Sequence, residues 1–298
     1  MITHPLKNVA AWVDYFDQAD IPVLARTERE LVGFKQNEDN LNGREMADAI
    51  LHDPLMTLKV LRYLHFHHSK RQSMEITTMA RALMMLGTTP FFRHFAHLPT
   101  VETTLQAYPD ALTRLMRNMS CSRHAALYAQ DWAMLRNDIE LDEVTLAALL
   151  RNLAEILLGC FAPQLMLAIR DLMRADPHLR SADAQQQVLG FPTLDLQMAL
   201  AARWQLPKLL QQLMDENNLD NPRTKNVALA FRLARHSANN WFDAALPDDY
   251  KEIAQLLKLS EEETQERVQR ITLQAAKSWT WYGVAPAAAW LALLPNPH

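Results

Sequence analysis

The sequence predicts an all-α fold, on three observations. Apolar residues recur at helical spacing along most of the chain. Glycine is scarce, six in 298 residues, which argues against phosphate loops of the G-x-G-x-x-G or G-x-x-x-x-G-K type and against β-rich folds with many tight turns. No stretch alternates with the period of two that marks a half-buried strand, and no internal repeat stands out.

Taken in order, the elements are these. Val9, Trp12, Val13 and Phe16 fall at i, i+3, i+4 and i+7, one face of a first helix. Asn42 followed by Glu45 reads as a capping box opening a helix through Ala47, Ile50 and Leu51. Asp53-Pro54 starts the next, since proline is tolerated in a first turn. Its apolar face is Leu55, Leu58, Leu61, the stem of Arg62, and Phe66. Another runs from about Ile76 to Leu86 and stops at Gly87. The middle is a helical pair, about Ala111 to Met134 and an unbroken Asp142 to Phe161. Pro163 opens a helix to Arg174, a short one from Asp183 ends at Gly190, and Leu194 to Trp204 and Pro207 to Met214 follow. Asn217-Asn218 and Asp220-Asn221-Pro222 form a turn-rich break before Lys225 to Asn239. ALPDD, near 243–249, marks the expected boundary, and Ser260 with Glu263 is a second capping box, leading through Val268 and Ile271.

Apolar residues make up 49% of the chain, enough for a sizeable core, and the net charge of −4 gives no global footprint for nucleic acid. Two cysteines, Cys121 and Cys160, make neither a metal spacing nor a disulfide framework, so a reducing compartment is expected. The first residues lack an apolar signal core. The longest apolar run, Gly283 to Pro295, is shorter than the roughly 20 residues a membrane span needs, and Pro286 interrupts it. The expected location is cytoplasmic, with no membrane span.

Three separated stretches carry a resemblance. DPLMTLKVLRYLHF at 53–66 resembles an Asp-Pro-x-Leu-Thr-x-Lys-Val-Leu-Arg helix, with His65-Phe66 where many relatives have Asn-Ser. ITTMARALMMLG at 76–87 resembles Ile-x-Ser-Ile-x-x-Ala-x-x-x-Leu-Gly, and LGFPTLDLQMALAARWQLP at 189–207 is similar to Leu-Gly-Phe-x-His…Trp-x-Leu-Pro. In this order and spacing they resemble the HDOD family, the HD-related output domain of bacterial signalling proteins, over roughly residues 20 to 240.

The resemblance implies descent from HD phosphohydrolases, which hold metal ions with His and carboxylate ligands and use them to activate water. In this sequence the first His position falls near Cys121, the His-Asp dyad on Arg151-Asn152, the His of the third stretch on Thr193, a His-His pair near Asn217-Asn218, and the last Asp on Arg235. Arginine does not give up its proton to coordinate a cation, and the neutral oxygens of Asn and Thr bind transition metals poorly. The expectation is therefore a protein that is not an enzyme and uses no metal or other cofactor. Arg151, Asn152, Thr193 and Arg235 could instead form an anion pocket, because the guanidinium fork suits phosphate or carboxylate. The competing expectation is that the arginines pair with Glu155 or Asp195 and fill the vacated site. Arg203 is a further candidate.

Other constellations read more plainly. His65-x-His67-His68 and His94-x-x-His97 have ligand spacings without acidic or cysteine partners beside them, and His65 is kept as a contact because it stands at the relatives' Asn position. Cys121 and Cys160 sit in apolar helical contexts and read as inert thiols. Ser122-Arg123-His124 with Asp131 does not amount to a triad. Trp279, Trp281, Tyr282 and Trp290 concentrate aromatics in the tail, where they either pack on the body or form a dimer or partner interface.

The expected organisation is an N-terminal helix (1–19), an HDOD domain (20–240) of two helical lobes (20–105 and a degenerate HD-like bundle, 106–240), and a C-terminal helical extension (241–298). The resemblance implies signal transduction through protein–protein contact, in a two-component or cyclic diguanylate pathway. The implied partner is a sensor kinase, a diguanylate cyclase or phosphodiesterase, or a regulator, with a homodimer as a further association and no nucleic acid. Asp53, His65, Trp279, Trp281 and Trp290 are the candidate interaction surface. A small-anion or nucleotide sensor is the alternative, and a residual metal-dependent phosphohydrolase the least favoured reading.

Overall fold

The computed structural model describes residues 1–37, 41–67, 78–137, 141–176 and 178–293. His68, Ile76 and Pro295 of the stretches above lie outside them. Among the described residues there is no strand, only one isolated parallel bridge between Val23 and Thr100. The helices are α1 (Val9–Gln18), α2 (Ala25–Gln36), α3 (Gly43–Leu51), α4 (Pro54–His67), α5 (Met79–Leu86), α6 (Thr88–His94), α7 (Val101–Thr104), α8 (Pro109–Arg136), α9 (Leu141–Leu150), α10 (Leu153–Phe161), α11 (Pro163–Ala175), α12 (Ser181–Leu189), α13 (Thr193–Arg203), α14 (Lys208–Met214), α15 (Pro222–His236), α16 (Leu246–Leu257), α17 (Glu261–Ala276) and α18 (Trp279–Tyr282). Single 3-10 stretches cover Glu216–Asn218 and Ala287–Leu293.

The chain forms two compact units, each from two separate stretches: 1–115 with 152–207, and 116–151 with 208–298. These units interleave along the sequence, a different division from the consecutive lobes read from it. ALPDD does not interrupt the second unit; it opens α16, with Pro247 in the first turn.

In the first unit, α1 buries Trp12, Val13 and Phe16, as their spacing predicts. Trp12 stacks on Phe16 at 5.7 Å, and Phe161 meets Phe16 edge-on at 5.8 Å. Asn42 caps α3 by accepting from the Arg44 N–H at 3.0 Å, but Glu45 does not return a bond, so the cap is single rather than the reciprocal box read from the sequence. In α4, Leu55, Leu58 and Leu61 are buried, and so are Met56, Val60 and Leu64. These side chains cover most of the helix circumference, and Lys59, Arg62, Tyr63 and Phe66 occupy the face that is left. Phe66 departs from the predicted core face: it is 62% exposed. Gly87 ends α5 at φ +77°, and Gly190 ends α12 in the left-handed region at φ +86°, a conformation glycine adopts without a Cβ penalty.

The second unit takes the longer part of α8. Along it His124, Tyr128 and Trp132 form a column of rings at 4.3 and 5.6 Å, four residues apart on one face. The Tyr128 hydroxyl meets Thr272 Oγ1 of α17 at 2.6 Å, and Asn226 Nδ2 of α15 donates to the Ala129 carbonyl at 3.3 Å. The Ser260–Glu263 capping box is present as predicted.

The expected unbroken helix from Asp142 to Phe161 is two. The chain leaves helical geometry at Arg151-Asn152, where Asn152 has φ −102° and ψ 20°. By length and composition alone, Leu141–Phe161 is apolar enough to cross a membrane; in the fold, 83% of its most apolar window is buried.

Candidate functional site

The candidate pocket residues do not fall together in one unit: Cys121, Arg151 and Arg235 belong to the second, Asn152 and Thr193 to the first. Arg151 is buried, and its Nη1 donates to the Met214 carbonyl at 2.6 Å while its guanidinium carbon lies 5.9 Å from the Phe231 ring centroid. Arg235 is exposed in the last turn of α15, where the helix dipole favours a cation. Cys121 is half-buried and lines a void of about 20 Å³ with His124, Ala234 and the tail residues Val284, Ala285 and Ala287. The Nε2 of His124 is buried without a partner among the described residues, and burial pulls this imidazole down to a pKa of about 3, so it is neutral near pH 7.

In the first unit, the start of α10 is tied by neutral donors and acceptors. The Thr193 N–H and Oγ1 donate to Gln185 Oε1 at 2.9 and 3.1 Å, and Gln185 Nε2 donates to Glu155 Oε1 at 2.9 Å. Gln197 Oε1 accepts from the Ala154 N–H at 2.8 Å. Glu155, expected to pair with Arg151, is thus served by Gln185, with Arg114 as the cation in its field. The sequence reading missed Gln185 and Gln197. A signal was present for Gln197, an amide between Leu196 and Met198; Gln185, within a run of three glutamines, gave none. Arg203, the further candidate, is held on the surface by Asp17, with Nε at 3.1 Å and Nη2 at 2.9 Å.

The proposed surface residues also divide. Asp53 is fully buried, which removes it from any interaction surface. Its Oδ1 accepts from the Leu55 and Met56 N–H groups at 2.9 and 3.1 Å, and its Oδ2 from the Leu24 N–H at 2.7 Å and the Thr27 hydroxyl at 2.8 Å. The carboxylate caps α4 and pins the start of α2 in one stroke. His65 and Trp279 are exposed, and Trp281 and Trp290 are half-buried. Tyr282 is buried, and Trp241 Nε1 donates to the Ala287 carbonyl at 3.0 Å, holding the tail.

Among the described residues no three His, Cys, Asp or Glu side chains gather closely enough to hold a metal ion. The donors at the positions carried over do not suit one either: a guanidinium bonded to a carbonyl, an exposed arginine, and a hydroxyl bonded to an amide.

The family model described as the HDOD domain matches residues 21–218. Among curated proteins, none matches this chain. The fold resembles that of the MmoQ response regulator from Methylococcus capsulatus str. Bath, at TM-score 0.63 and 18% identity, over 84% of this chain and 98% of that one. It also resembles a virulence factor from Campylobacter jejuni subsp. jejuni, at TM-score 0.61 and 19% identity, over 91% of this chain and 99% of that one. At these identities the likeness is one of fold. With two thirds of its length matched by the family model, the chain belongs to the HDOD family.

Proposed function

We propose that this HDOD protein is a non-catalytic signalling module that relays its input by contact with a partner protein in the cytoplasm. The observation that carries this reading is the chemistry at the positions where the family's ancestors place metal ligands: Arg151 bonded to a carbonyl, Thr193 to an amide, and Arg235 in solvent. None supplies the imidazole or carboxylate that metal-assisted hydrolysis needs. A two-component or cyclic diguanylate pathway fits the family, and the name response regulator carried by one fold neighbour is in keeping with the former. The partner is then a sensor kinase, a cyclase or phosphodiesterase, or a regulator, docking on the tail of the second unit at Trp279, Trp281 and Trp290, with His65 of the first unit a separate candidate contact. The alternative, an anion held by Arg151 and Arg235, has less support, because Arg151 is already committed to the Met214 carbonyl.

The test assays phosphodiester hydrolysis with added manganese or iron, alongside purification of the tagged chain from its native cells. The expected result is no turnover and recovery of a signalling protein whose capture weakens in Trp279→Ala. Turnover abolished by a chelator would overturn the reading.

A further inference from the structure

The first unit carries a cleft of about 250 Å³ whose walls include Lys59, Arg62, Tyr63 and Phe66 of α4, with His94 and Phe95. The four α4 residues stand at spacings of three and four, which set them along one face. Both cations are withdrawn from water, Lys59 to 15% and Arg62 to 16% side-chain exposure. Lys59 Nζ donates to the Ile21 carbonyl at 2.7 Å and to Asp20 Oδ1 at 3.2 Å. An ammonium has three donors, so among the described residues one is left over. Arg62 lies over the Trp204 ring at 4.4 Å and donates through Nη2 to the Asp17 carbonyl at 3.2 Å. Its Nη2 also lies 3.6 Å from Asp17 Oδ1; a guanidinium has five donors, so among the described residues part of its capacity stays open. Burial lowers the Arg62 pKa, with Asp17 opposing.

Ala19, Asp20 and Ile21 form one further wall, and the rest is aromatic. The Tyr63 and His94 rings lie 4.0 Å apart, and Phe95 meets them at 5.7 and 4.7 Å. At the rim, Phe66 leaves most of its ring in solvent. Exposed phenyl beside half-buried cations with donors to spare is the combination that recognises a flat ring carrying negative charge.

We propose that this cleft binds a planar aromatic anion of mononucleotide size, its ring on Phe66 and the Tyr63–His94 pair and its anionic group at Lys59 and Arg62. Size decides against a cyclic dinucleotide: the volume lies just below the roughly 300–1,000 Å³ of ordinary small-molecule sites. Asp20, 75% exposed, is the counter-charge such an anion displaces from Lys59. None of Cys121, Arg151, Asn152, Thr193 or Arg235 lines this cleft, and the proposal does not depend on the partner-binding reading.

The test is isothermal titration of the full chain with GMP and AMP, with guanosine and ribose 5-phosphate as half-ligands. Both mononucleotides are expected to bind, and each half-ligand about tenfold more weakly or worse, since base–aromatic stacking alone is worth about that much. Phe66→Ala, at an exposed position that leaves the core intact, is expected to weaken binding about fivefold or more. Lys59→Gln is expected to do the same with its thermal melt checked, and Arg235→Ala to change nothing. No saturation by either mononucleotide up to about 1 mM overturns the proposal. So does binding indifferent to Phe66→Ala, or binding lost in Arg235→Ala, which would move the ligand to the second unit.

Discussion

Asp53 in the first unit and His124 in the second are both buried ionisable groups, and they meet the cost of burial in opposite ways. Asp53 is given four donors, from Leu24, Thr27, Leu55 and Met56, and burial pushes its pKa up against all four. His124 is given a ring to stack on, Tyr128, and no partner for Nε2 among the described residues; it drops its charge instead. Compensation by hydrogen bonds ties elements together, because the donors come from two helices and the turn before one of them. Neutralisation ties nothing, and leaves a group whose cost returns whenever the pH allows it to charge.

The largest expected effect breaks the first side of this contrast. Asp53→Ala strands three backbone N–H groups and a hydroxyl in a dry site, at about 1–3 kcal/mol each, so the loss should exceed about 4 kcal/mol in urea melts. Asp53→Asn, which keeps one accepting oxygen, should fall between. A loss near 1 kcal/mol for the alanine variant would mean the donors find other partners and the clamp is incidental. Arg151 offers a third case, a buried cation that donates to the Met214 carbonyl. Arg151→Met should cost about 1.5–3 kcal/mol, the range for a hydrogen bond to a charged group.

The second side is sharpened by pH. The ordinary imidazole value is 6.5 and that of folded His124 about 3. Between them the unfolded chain binds more protons than the folded one, so stability falls as pH is lowered through this window, by up to about 1.4 kcal/mol per pH unit. His124→Phe, which keeps a ring on Tyr128, should remove that share of the slope, with thermal melts of the two proteins diverging only below pH 6.5. Equal slopes would show that the imidazole charges without unfolding. The smallest effect is expected outside the core: Ser260→Ala removes a solvent-exposed cap and should cost about 1 kcal/mol.

Local chemistry was the legible part of the fold. Asp53-Pro54, Gly87, Gly190 and Ser260 with Glu263 announce helix ends because each acts on backbone within a turn of itself. The break at Arg151-Asn152 was hidden, since neither residue disfavours a helix and a packed interior overrides propensity. Asn42–Glu45 misled the other way: the spacing permits a reciprocal box, but Glu45 leaves its side chain in water. At the candidate site, what could be read was the residue types at the positions that the resemblance assigns to ancestral ligands, and no more. That Asp53 points inward, that Gln185 rather than an arginine serves Glu155, and that Phe66 sits at the rim of a cleft depend on how distant helices pack.

The interleaved threading has a consequence for how the molecule is made. The first unit includes residues 152–207, so its core cannot close when its opening 115 residues leave the ribosome. It must wait a further 92 residues, to residue 207, about 5–18 s at synthesis rates of roughly 5–20 residues per second. During that interval the apolar faces of α1, α4 and α5 have been delivered but lack α10 and α13, and nascent-chain chaperones have that long to meet them.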